Sequence, residues 1–192
     1  FTCLWPEIQK RQQNLKFQMI PFENTPENAQ EILSHLGHNI DVVAGIFDER
    51  LLELRQCNGV EILKNKFCMA VSMHHSLACK SILKVEDLKN QSILMIKPGW
   101  SCYMDALRKN LEKEDLNIHI KNFDFYNLEI FNQCQNSNDM LIAIEGWEAI
   151  HPLIKLIPVD WDYKMPFGLL YARSPSQKVQ NLIHTLKDCI NL

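Results

Sequence analysis

At 192 residues the chain has room for one large domain or two small lobes, and its 46% apolar and 22% charged content is that of an ordinary globular protein. A net charge of -3 with scattered Lys and Arg gives no basic footprint, which excludes strong nucleic-acid binding by this chain alone. No apolar run approaches the ~18 residues a membrane helix needs, so no membrane partner is expected. The start, Phe1-Thr2-Cys3-Leu4-Trp5-Pro6, lacks the basic-then-apolar form of a signal peptide, a form that a mature exported protein would lack too.

Leu4, Ile8, Arg11 and Gln12 sketch a first helix with a polar outer side. Residues 15–22 alternate as a strand does. A second helix starts with Thr25 as N-cap and Pro26 at its first position. Ala29, Ile32, Leu33 and Leu36 form its apolar stripe and Gly37 ends it. Residues 41–46 read as a buried strand, and helix-strand alternation with short connections predicts a largely parallel α/β layer. A unit of this kind normally opens with a strand before its first helix, so the chain reads as a fragment of a longer protein.

Residues 67–72 form the next apolar strand, followed by the turn His74-His75-Ser76-Leu77-Ala78 and the short helix Val85-Glu86-Asp87-Leu88. The pattern then repeats: strands at 92–96, 118–123 and 140–144, a helix from Cys102 to about Lys113, and a helix capped by Asn127 through Cys134. A strand at 167–172 and a helix capped by Ser174 or Ser176 close the chain. This last pair has to pack somewhere, and a return to the first lobe is the simplest answer. Lobe one is therefore 1–73 plus 163–192, and lobe two is 74–162. Two crossing strands make a hinge, and a hinge between α/β lobes makes a cleft.

The seven cysteines are odd in number and contain no Cys-x-x-Cys pair. That usage suits a reducing cytoplasm, and neither they nor the histidines have zinc-ligand spacing. His74-His75 looks like a metal pair, but neighbours on an extended segment point opposite ways, and an exposed turn explains them better. No Gly-x-Ser-x-Gly, phosphate loop or dinucleotide glycine pattern appears. No catalytic residue, cofactor or metal is expected, and the chain reads as a non-enzyme.

The segment Asp41-Val42-Val43-Ala44-Gly45, the turn His75-Ser76-Leu77-Ala78, Val85-Glu86-Asp87-Leu88 and Ser174-Pro175 resemble, in order and spacing, the effector-binding domain of LysR-type transcriptional regulators. The similarity spans nearly the whole chain. It implies a two-lobed fold like the type II periplasmic binding proteins, two α/β lobes joined by two crossing strands. It implies a small-molecule effector in the cleft, homodimers or homotetramers, and DNA reading by an N-terminal domain absent from this chain. Cys102 and Cys134 share a lobe in which some such regulators sense oxidants, but no cationic neighbour in sequence lowers either thiol's pKa. A transporter's solute-binding protein with the same fold is the alternative. One departure stands out: Ile144-Glu145-Gly146-Trp147-Glu148-Ala149-Ile150-His151-Pro152 replaces the glycine-rich apolar stretch ending in Leu-Pro that family members often carry.

Ligands of open α/β sheets bind at the carboxyl ends of strands, beside helix N-termini. That rule selects Gly99, Trp100 and Ser101: Gly99 for a tight turn, Trp100 as an apolar wall or as core, Ser101 as a helix cap or a donor to a ligand carboxylate. It selects Glu145 and Trp147, with Glu145 either receiving an amino group or staying in solvent. It selects Phe47 and Asp48 at the end of the 41–46 strand, where Asp48 serves a ligand or a turn. Thr2 matches a position where the LysR family uses a hydroxyl.

Overall fold

The structure, a computed structural model, describes residues 4–113 and 116–190. Thr2 and Cys3 lie outside them. The chain divides into unit 1, Phe1–Leu63 with Pro166–Leu192, and unit 2, Lys64–Met165.

Unit 1 begins with helix α1, Leu4–Arg11, which buries Ile8. Helix α2, Pro26–Ser34, starts as its sequence dictates: Thr25 Oγ1 accepts from the Asn28 N–H, and proline occupies the first turn. The helix ends at Ser34 with His35 as its C-cap, short of Leu36 and Gly37, and Gly37, at φ +84°, turns the chain beyond it, its N–H donating to the Ile40 carbonyl. Strand β1, Val43–Ile46, leads into the short helix α3, Glu49–Leu54, and then strand β2, Cys57–Ser72. Strand β7, Lys164–Ala172, and helix α6, Gln177–Ile190, complete the unit. β1 pairs antiparallel with β7, which lies next to β2. Ile8, Val60, Leu169, Val179, Leu182, Ile183 and Leu186 form one core, so α1 and α6 cover the sheet from one side. Leu36, Phe47, Cys57 and Leu170 form a second core. Gly168 is required by proximity, since a Cβ there would lie 1.9 Å from the Val60 carbonyl oxygen.

Unit 2 carries the second half of β2 and five further elements of regular length. They are β3, Ser92–Ile96; α4, Cys102–Lys113; β4, His119–Phe123; α5, Leu128–Gln135; and β5, Met140–Ile144. Strand β6, Ile154–Pro158, follows. The strand order is β6-β2-β5-β3-β4. β3 runs parallel to both β4 and β5, while β2 is antiparallel to β5 and β6. The five residues of β5 are all buried, as a strand covered on both faces requires. Asn127 caps α5 through Oδ1, which accepts from the Ile130 N–H.

The structure corrects four expectations. Residues 15–22 are not a strand: their alternation finds no ladder partner among the described residues, and Met19 and Ile20 stand exposed. The sheet is not largely parallel, because β2 and β7 make antiparallel pairs. β2 starts ten residues before the apolar stretch at 67–72, and α3 and β6 add elements. His75 is buried, not exposed; its Nδ1 accepts from the Leu77 N–H and fixes the turn, while His74 faces solvent. Of the two candidate caps of α6, Ser176 is the one whose Oγ accepts, from the Val179 N–H.

Candidate ligand-binding edge of unit 2

Because β3 is parallel to β4 and β5, all three strands end on the same edge of unit 2. The residues just past those ends are aromatic. Trp100 follows β3, Phe123 ends β4 with Tyr126 three residues on, and Trp147 follows β5. Tyr126 is the centre of the group. Its ring lies edge-on to Trp100 at 5.8 Å, to Phe123 at 4.8 Å and to Trp147 at 4.9 Å. Phe131 of α5 supports Trp147 from 6.1 Å. Offset edge-to-face pairs of this kind add attraction beyond area burial.

Tyr126 is 6% exposed, and its hydroxyl donates to the Ile142 carbonyl at 2.8 Å. Burial holds the phenol far above its ordinary range, so it stays neutral. The two indoles are only half-buried, leaving part of each accessible. The arrangement is a buried phenol flanked by two partly accessible indoles.

The loop after β3 is shaped by Gly99, at φ +87°. Its N–H donates to both carboxylate oxygens of Asp105, at 3.0 and 3.1 Å. Ser101 is fully buried and caps α4: its Oγ accepts from the Tyr103 N–H and its carbonyl from the Asp105 N–H. Of its two sequence readings, the cap is the one its hydrogen bonds display. At the end of β5, Glu145 is anchored twice to Lys66, its N–H donating to the Lys66 carbonyl and its Oε2 accepting from the Lys66 N–H at 3.2 Å. Gly146 turns the chain at φ +96°.

Phe47 and Asp48 belong to unit 1. Phe47 sits in its second core, and Asp48 is 3% exposed and caps α3, accepting from the Leu51 N–H at 2.7 Å. Thr2 lies outside the described residues. The structure thus gathers Gly99, Trp100, Ser101, Glu145 and Trp147 in unit 2.

Sequence reasoning passed over Tyr126, Phe123 and Arg108. Arg108 is 7% exposed and its Nη2 donates to the Ile96 carbonyl, the last residue of β3, at 2.7 Å. Its signal was present: Met104, Leu107, Arg108 and Leu111 share the buried stripe of α4.

Among the described residues no group of His, Cys, Asp or Glu could hold a metal ion, and no helix is long and apolar enough to cross a membrane. Cys134 is buried and its thiol is pushed up to about 12 by burial and, secondarily, by Asp139. Cys102 is exposed, and neither is in a disulfide.

No protein-family model matches the chain, and no curated protein is detectably similar to it in sequence. Solved structures are similar in fold. CbnR, a LysR family transcriptional regulator, superposes with a TM-score of 0.69 at 13% identity over 98% of this chain. The chain spans 64% of the CbnR chain. The effector-binding domain of QuiR in complex with shikimate gives 0.65 at 12% identity, over 96% of this chain and 87% of that one. The regulatory domain of CcmR from Synechocystis PCC6803 in complex with 2-PG gives 0.58 at 14% identity, over 97% and 89%. The chain therefore has the two-lobed, type II periplasmic-binding-protein-like fold of LysR effector-binding domains.

Proposed function

We propose that this chain is the effector-sensing domain of a LysR-type transcriptional regulator. A small molecule binds against Trp100, Tyr126 and Trp147, within the turns set by Gly99, Ser101 and Glu145. The observation that carries this reading is the aromatic group at the shared carboxyl edge of β3, β4 and β5, on a fold whose solved relatives include domains in complex with shikimate and 2-PG. Phe47 and Asp48 keep their core and capping roles. The regulator works in the cytoplasm as a homodimer or homotetramer and reads DNA through a separate N-terminal domain. Effector binding shifts a conformational population, and dimer contacts pass the shift on.

Two experiments test this. The gene upstream of this segment should encode a winged helix-turn-helix of about 90 residues; a secretion signal there would reject the regulator. A thermal-shift screen of small metabolites should yield at least one stabilising ligand, since binding to the native state alone raises the melting temperature.

A further inference from the structure

Unit 2 has a second edge, opposite the aromatic one. β2 ends there as β5 begins, because the two strands run antiparallel with Ala70 opposite Leu141. The turn after β2 and the loop from α5 into β5 border a cavity of about 320 Å³, lined by Ser72, His74 and His75 from the first and residues 135–138 from the second. Small-molecule sites start at about 300 Å³, so this one has room for a molecule the size of a single sugar ring.

Two of the lining side chains are more than nine-tenths buried and keep a donor unspent. Ser72 is 4% exposed, and its Oγ accepts from the His74 N–H at 3.4 Å, while its own hydrogen reaches no acceptor among the described residues. His75 is 7% exposed, and its Nδ1 accepts from the Leu77 N–H at 3.1 Å. The proton of the neutral ring therefore sits on Nε2, which has no partner among the described residues. Buried donors are ordinarily paired, because leaving one unmade costs more than making it gains. The carboxamides of Gln135, Asn136 and Asn138 also make no side-chain hydrogen bond among the described residues, and each offers donors and an acceptor together. Among the described residues no Asp, Glu, Lys or Arg lines the cavity. α5 ends beside it with no basic residue in its last turn, so the negative end of the helix disfavours an anion there. No lining carboxylate would pair a cation either.

We propose that this cavity is a second binding site, separate from the aromatic edge, for a neutral, hydroxyl-rich molecule of monosaccharide size. Its oxygens accept from Ser72 Oγ and His75 Nε2, and its hydroxyl hydrogens go to the carboxamide oxygens of Gln135 and Asn138. The site goes beyond effector sensing at the strand ends and does not depend on it.

The test is nitrogen NMR of the native chain, with the histidine rings, indoles and side-chain amides labelled. Glucose and myo-inositol are the neutral probes, glucosamine the cation and glucuronate the anion, at constant ionic strength. At least one neutral probe should move His75 Nε2 and the Gln135 and Asn138 amides to saturation, with a Kd of about 10 mM or tighter. Trp100 and Trp147 should stay in place, and both charged probes should bind at least about tenfold more weakly. Ser72→Ala removes one buried donor and should weaken the neutral probe by about tenfold. Gln135→Ala removes a side chain without a partner, so it should weaken the probe while leaving the urea midpoint unchanged, and it carries the test if Ser72→Ala does not fold. Shifts that grow linearly without saturation for both neutral probes would overturn the proposal. So would a charged probe that binds as tightly, a saturating shift at Trp100 and Trp147 in place of His75, or an affinity that Gln135→Ala leaves intact.

Discussion

The Tyr126 ring meets Trp147 edge-on at 4.9 Å while its hydroxyl donates to the Ile142 carbonyl at 2.8 Å. One side chain therefore ties the loop after β4 to the strand β5 and supports an indole at that strand's end. Tyr126→Phe keeps the ring and removes the donor. It should destabilise the protein by about 1 kcal/mol, the worth of one intramolecular hydrogen bond, read as a lower urea midpoint. An unchanged midpoint would show that the hydroxyl bond contributes nothing net.

Gly168→Ala tests the sheet of unit 1. A Cβ there would lie 1.9 Å from the Val60 carbonyl oxygen, which is backbone and cannot swing away. Overpacking of this kind should cost about 3 kcal/mol or more. Soluble expression with a near-native melting temperature would mean that β2 and β7 can separate without penalty.

Cys68 and Cys134 set an alkaline limit. Burial pushes both thiols from an ordinary 9.0 up to about 12. The folded protein keeps them protonated where the unfolded chain ionises them. Their stabilising effect is complete below pH 9 and is lost as the pH rises toward 12. Urea midpoints should fall through that window, and less steeply in Cys134→Ala. In the native state below it, Cys79 and Cys102, both exposed, should react with a thiol reagent well before Cys68 and Cys134. Early modification of Cys134 would contradict the burial argument.

At acid pH the sign reverses. The Lys80 ammonium, 2.5 Å from Asp87, holds that carboxyl below its usual range, helped by the Lys84 N–H. This contribution is present at neutral pH and disappears as the pH falls through the lowered value. Lys80→Met should raise the Asp87 pKa toward the ordinary 3.8, measurable by carboxyl NMR titration. An unmoved titration would show that the pair does not persist in solution.

Much of this fold is legible where local chemistry decides it. Thr25-Pro26 and Asn127 announce their helices because capping is a property of a few neighbouring residues. The strands at 92–96 and 140–144 are apolar runs that have to be buried. Strand pairing is not local. Residues 15–22 alternate yet find no ladder partner among the described residues, and β2 extends back through 57–66, where polar and apolar residues mix, because a neighbouring strand rather than a periodicity supplies the hydrogen bonds. The strand-end rule finds Trp100 and Trp147 at the candidate edge. It misses Tyr126, which reaches the edge through the loop after β4. Arg108 was readable as a charge on the apolar stripe of α4, but only the structure places its guanidinium against Ile96.

The most direct test of effector binding at this edge uses the four tryptophans as reporters. Indole-labelled protein should show separate N–H signals for Trp5, Trp100, Trp147 and Trp161, and Trp161 is internally anchored, its Nε1 donating to the Phe67 carbonyl at 2.8 Å. Titration with a ligand that stabilises the protein should move the Trp100 and Trp147 signals and leave Trp161 in place. A tightly bound ligand that moves Trp5 or Trp161 while leaving Trp100 and Trp147 unchanged would contradict the account.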